Sequence, residues 1–288
     1  MEVIIGIDQT GAASQKGKNA KPLPVCVLGL NHDCRWQVVT EFKRKKLQLK
    51  TLSPSELEEL LTRLEIEVPL KKVGLAVDCV LGLPRKFVKK PPKGRPYLWE
   101  VFREAAEFNK GGKEFGRDVA EAFFSKWVAT HSKSYPRRTC EKISGSNSLF
   151  QSRPYQKNIQ TGTFRIWKEL GRTPTDWIRI WPFEKMKNPQ LQGPWIFEGY
   201  PSLLWKEVLK SPNRKPSALK SLVSARFPKL QIDTWKHVQT DPDHADAFVL
   251  ALGAAALLTQ NQLWEPFSHF YNDSDAQSEG WLLGLKSY

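Results

Sequence analysis

The chain opens on a run from Val3 to Asp8, apolar up to its closing carboxylate, and passes into the glycine-bearing loop "QTGAASQKGK". Short unbroken apolar runs bounded by turn residues predict strands buried on both faces. Two more follow, "LPVCVLGL" (23–30) and "RWQVVTEF" (35–42), and the turn residues "NHD" between them predict a hairpin. The period then changes. In "SPSELEELLTRLEIE", Leu57, Leu60, Leu61 and Leu64 fall on one stripe of a helix. Ser53 stands where it can cap that helix, Pro54 at its first position and Glu56 where it completes a capping box. The next run, "KVGLAVDCVLGLP", is a strand ending on a second acid, Asp78.

This order of elements has a spatial consequence. A strand reached through a helix joins the sheet in parallel by a right-handed crossover. Asp8 and Asp78 are then expected at one carboxyl edge, where open α/β sheets place their ligands. Further on, "DWIRIWPFE" (176–184) and "PWIFEGYP" (194–201) return to strand patterning, the second carrying Glu198 among Trp195, Ile196, Phe197 and Tyr200. The last element, "TDPDHADAFVLALGAAALLT", reads as a buried helix capped by Thr240 or Asp241, with Asp243 and Asp246 three residues apart on its first turn.

Between these halves, residues 85–175 form an insertion. Residues 100–130 predict a helix in two pieces around Gly111 and Gly112, residues 132–148 a loop, and residues 155–170 another helix. The expected organisation is a core of residues 1–84 and 176–288 with a basic, mainly helical insertion, 85–175, packed on it. Composition sharpens this picture: of a net charge of +14 over 288 residues, the insertion holds twenty basic and eight acidic residues, and the remainder twenty-four and twenty-two. Positive charge concentrated in one block suits a polyanion, because each neutralised phosphate releases counterions. Four cysteines without a CxxC pair and a start without a secretory pattern predict a reduced, cytoplasmic protein. No apolar run is long enough to span a bilayer. Cys26, His32 and Cys34 lack a fourth ligand for zinc and suit the hairpin better.

Asp8, Asp78, Glu198, Asp243 and Asp246 are acids at positions patterned for burial. Two like charges about 4 Å apart repel by roughly 4 kcal/mol at an effective dielectric near 20. Converging carboxylates therefore call for hard divalent cations, Mg²⁺ or Mn²⁺, which prefer oxygen ligands and keep waters for chemistry. Such metals support phosphodiester hydrolysis.

The pieces "IGIDQTG", "AVDCVLGLP", "WPFE", "FEGYPSLLW" and "DHADAFVLALGAA" resemble a prokaryotic family of predicted nucleases in the ribonuclease H-like superfamily. The resemblance covers about half of the chain and departs at Val80, where the family places a proline. It implies an α/β fold: a ribonuclease H-like mixed sheet, a three-strand antiparallel meander plus parallel strands, flanked by helices. It further implies a metal-dependent nuclease with Asp8, Asp78, Glu198 and Asp246 as catalytic acids, and these with Asp243 as metal ligands.

Two other readings compete. The same fold core serves actin-like and sugar-kinase-type ATP-dependent phosphotransferases, in which Thr10, Gly11 and Ser14 would bind the cofactor's phosphates. A non-catalytic nucleic-acid binder, of RNA or DNA, would stack bases on Tyr97, Trp99, Phe102, Tyr155, Phe164 and Trp167. For most of these rings the core of the insertion is the stronger reading. His244, between the helix acids, is placed to assist proton transfer, although a histidine on the helix surface is the stronger reading.

Overall fold

The structure, a computed structural model, describes residues 1–9, 19–30, 36–39, 47–88, 97–128, 134–151, 159–184, 193–230, 232, 235–259 and 278–285. The strands are β1 (Val3–Ile7), β2 (Leu23–Leu30), β3 (Trp36–Val39), β4 (Gln48–Leu49), β5 (Val73–Asp78), β6 (Arg179–Ile180) and β7 (Trp195–Gly199). The helices are α1 (Pro54–Arg63), α2 (Leu98–Glu107), α3 (Arg117–Phe124), α4 (Thr139–Ser144), α5 (Ile159–Gly171), α6 (Pro201–Glu207), α7 (Leu219–Arg226), α8 (Lys236–Thr240) and α9 (Pro242–Thr259).

These form an α/β fold built on one mixed sheet in the order β3-β2-β1-β5-β7-β6, with β4 joined to β2. β1, β2 and β3 are an antiparallel meander, as their turn chemistry predicts. β5 enters parallel to β1, β7 parallel to β5, and β6 parallel to β7. The crossover through α1 therefore has the predicted outcome. Ser53 caps α1 by accepting the Glu56 amide at 3.4 Å, but the expected capping box is half made, because Glu56 reaches the Lys50 amide instead.

Strand alternation sorts the core into two layers. Val3, Ile5, Ile7, Leu75, Val77 and Ile196 face α1, α2 and α5, whereas Ile4, Ala76, Trp195 and Phe197 face α9. α9 lies directly on the sheet. A Cβ at Gly6 would fall 1.9 Å from the Ala247 carbonyl oxygen, and one at Gly199 would fall 2.1 Å from Leu250 Cδ2. Glycine is required at Gly6 by this approach of helix backbone to strand.

The insertion is more deeply built in than its charge suggests. Phe164, Trp167, Phe102 and Phe124 are buried in the same cluster as Ile5 and Val77. Arg138, Arg165 and Lys168 are also buried. Arg165 donates to the Lys50 carbonyl at 3.1 Å and pairs with Glu169, whose other oxygen accepts the Leu52 amide at 2.6 Å. Lys168 Nζ caps the end of α2 by donating to the carbonyls of Ala105, Ala106 and Phe108 at 3.2, 2.9 and 2.7 Å. Residues 132–148, expected as a loop, contain α4. α6, α7 and α8 were not signalled by periodicity either. No helix among the described residues is long and apolar enough to cross a membrane.

Candidate functional site

The carboxyl edge of the parallel strands is where the acids were expected to meet. Ile7 pairs with Val77 across β1 and β5, so Asp8, one residue beyond, stands level with Asp78. Asp8 is buried and its amide continues the ladder by donating to the Pro24 carbonyl at 3.1 Å. Alternation places both aspartates on the α9 side of the sheet, the side of Gly6 and Ala76, while Gln9 turns to the other side and packs against Gly162 of α5.

α9 brings two more acids to this edge. Its first turn is located by His244, whose Nε2 lies 3.1 Å from the Leu47 carbonyl. That carbonyl also accepts the amide of Val25, the partner of Ile7. The helix thus begins at the carboxyl end of β1. Asp243 precedes Ala247 by one turn on the stripe that rests on β1. Asp246 precedes Leu250 by one turn on the stripe that rests against Gly199 of β7. Asp241 caps the helix, accepting the amides of Asp243 at 3.0 Å and His244 at 3.4 Å, as one of the two predicted caps.

Asp246 is buried with both oxygens engaged. Oδ1 accepts the Trp205 indole at 3.1 Å, and Oδ2 is paired with Arg214, which also donates to Ser202 Oγ at 2.9 Å. His244 does not lie on the helix surface as expected but is buried between Leu47 and Asp241, its Nδ1 3.2 Å from Asp241 Oδ2 but off the line of a hydrogen bond. Its ring is directed at backbone rather than at the paired aspartates.

Glu198 does not join this group. It pairs in register with Val77, and so lies on the opposite face from Asp78, whose partner is Gly199. Its carboxylate accepts the Leu81 amide at 2.7 Å and forms a two-pronged ion pair with Arg138, one contact at 2.7 Å. Arg138 also binds Glu141 at 2.9 Å and reaches the Glu279 carbonyl at 3.4 Å. The side chain of Glu279 accepts the amides of Arg85 at 2.7 Å and Thr139 at 2.6 Å. Burial pushes the Glu198 carboxyl above its usual range, against the pull of Arg138 and the Leu81 amide. Burial also opposes the charge on Arg138, but the carboxylates of Glu198 and Glu141 around it more than offset that, and the guanidinium stays firmly charged. This buried network ties the insertion, β7 and the segment after Ser278 together.

The metal expectation meets the same geometry. Among the described residues, no group of three or more His, Cys, Asp or Glu side chains is arranged to hold a metal ion. Hard oxygen donors are present, but Glu198 is committed to Arg138 and Asp246 to Arg214. The residues therefore do not fit a preassembled metal centre. Thr10, Gly11 and Ser14 lie outside the described residues, as do Tyr155, His32 and Cys34.

The aromatic rings of the insertion fall to the core reading rather than to stacking. Tyr97, Trp99, Phe102, Phe164 and Trp167 are all buried and cannot offer a face to a base. Arg85, Lys86, Arg103, Lys110, Lys113, Lys126, Arg137, Lys142 and Arg172 remain exposed in the insertion. A cleft of about 910 Å³ opens between the insertion and the start of α1, with Lys50, Ser53, Glu114 and Arg172 in its wall; none of the five acids lines it. Sequence reasoning missed Arg138, Trp205, Arg214 and Glu279, because nothing in local spacing announces an ion pair across 60 residues. The chain matches no protein-family model, no curated protein and no solved structure.

Proposed function

We propose that the protein hydrolyses phosphodiester bonds of nucleic acid, on a ribonuclease H-like fold, at the carboxyl edge shared by β1, β5 and α9. The observation that carries this reading is the parallel register that sets Asp8 level with Asp78, beneath the acidic first turn of α9. The strand order, an antiparallel meander continued by parallel β5 and β7, supports the fold assignment. The exposed cations of the insertion support a polyanionic substrate.

In this reading the aspartate pair supplies the base. One carboxylate accepts a proton from a water held at the edge, and the water oxygen attacks phosphorus. The P–O bond to the leaving ribose or deoxyribose oxygen breaks, and that oxygen takes up a proton from solvent. Glu198 has no part in this step and holds the insertion in place through Arg138.

The test uses labelled RNA, DNA and hybrid strands with Mg²⁺, Mn²⁺ or EDTA. Asp8→Asn and Asp78→Asn should each lower the cleavage rate by about 10² or more in protein shown to be folded by circular dichroism. Wild-type rates in both variants overturn the reading. A second reading, binding without hydrolysis, is favoured by the engagement of Asp246 with Arg214; it predicts strand retention with no product under any ion condition.

A further inference from the structure

Asp246 and Arg214 form an unequal pair. The carboxylate side chain is 9% exposed, while the guanidinium side chain is 43% exposed and belongs to the irregular stretch between α6 and α7. With one partner so open to solvent, the pair is screened and weaker than one buried on both sides. The guanidinium fork that fits a carboxylate also fits a phosphate. Asp246, meanwhile, sits one turn before Leu250, on the stripe directed at the edge where Asp8 and Asp78 stand. An anion arriving there meets Arg214 from the solvent side.

We propose that Arg214 exchanges Asp246 for a phosphate oxygen of the bound strand, so that binding of the strand releases the Asp246 carboxylate toward the edge. The nature of the anion rests on the proposed function; the exchange itself rests on the unequal exposure of the pair. Ser202 Oγ, already bonded to Arg214, gives the guanidinium a second anchor while its partner changes. Arg214 is thus a positioning residue that couples occupancy of the site to the charge available in it.

Trp205 reports the exchange directly, because its indole N–H is bonded to Asp246 Oδ1. The experiment follows the Trp205 indole ¹⁵N–¹H resonance, assigned with Trp205→Phe, in EDTA so that no metal contributes, with the DNA checked intact after each titration. A short single-stranded DNA is titrated into the full chain, with inorganic phosphate in a parallel arm. The wild-type resonance should move in step with DNA binding. In Arg214→Gln it should start displaced and stay still, and DNA affinity should fall about tenfold. Arg214→Lys should recover part of the response. A resonance that stays fixed while DNA binds, one that moves equally in Arg214→Gln, or wild-type protein that binds no DNA overturns the proposal. Free phosphate acting at lower concentration than DNA overturns the strand as the source. The outcome is separable from that of the proposed function: cleavage without the Trp205 response sinks only the exchange, and the response without cleavage sinks only the hydrolysis.

Discussion

Replacing Glu198 by glutamine separates a catalytic acid from a structural one. In the structure Glu198 is 2% exposed and receives three donors, two from Arg138 and one from the Leu81 amide. Glutamine removes the charge and turns an N–H₂ group toward donors on at least one side. Arg138 keeps Glu141, so the guanidinium is not stranded, and the cost belongs at the lower end for a broken buried pair, about 3 kcal/mol. Arg138→Met is worse, since it leaves Glu198 and Glu141 both buried with no counterion; about 5 kcal/mol is expected. At roughly 2 °C per kcal/mol for a chain of this size, the first change lowers the melting temperature by about 6 °C and the second by about 10 °C. Urea unfolding followed by far-UV circular dichroism measures both. The double variant should lose less than the sum of the two, because neither group is then left to face the absence of the other. Cleavage by folded Glu198→Gln should stay near wild type. A variant that unfolds at the wild-type midpoint yet has lost activity would refute the reasoning, for it would place Glu198 among the edge acids in spite of the strand register.

Two further outcomes follow from packing and burial. Gly6→Ala should destabilise by roughly 3 kcal/mol, because the added methyl meets the α9 backbone at Ala247 and Ala251 rather than a side chain that can turn away; the urea midpoint checks this. Burial pushes the thiol of Cys26 up to about 12, and raises those of Cys79 and Cys140 as well. The fold retains protons that the unfolded chain gives up near pH 9, so stability is full below that and falls as pH rises; Cys26→Ala should show a shallower decline in urea midpoints between pH 8 and 10.5.

The sheet was legible because its signals are local. β1, β2 and β5 are apolar runs stopped by turn residues or an acid, and α1 shows its stripe, its proline and its cap within a dozen residues. The parallel entry of β5 follows from the helix before it. The helices that went unread are short. α4, α6 and α8 span six, seven and five residues, too few for a 3.6-residue period to declare itself, and they are held by partners distant in sequence. Glu279 accepting the Thr139 amide at the start of α4 is one such partner.

The candidate site was legible to the same depth and failed at the same boundary. Asp8, Asp78, Asp243 and Asp246 were placed by where their elements end or begin, and topology alone carries that to one edge. Glu198 lies inside a strand, and there a single residue of register decides the face. Because Val77 rather than Asp78 is its partner, its carboxylate leaves the sheet on the side away from α9. A buried acid in an apolar strand announces that something must neutralise it, but its type does not say whether a metal or an arginine does so. The arginine came from the basic block, where Arg138, Arg165 and Lys168 counted toward a charge thought to face phosphate. Charge summed along a sequence mixes cations that attract a partner with cations the fold uses internally, and only burial tells them apart. Arg214 stands between these classes, internal by its bond to Asp246 and external by its exposure, which is why the exchange of partners is located there.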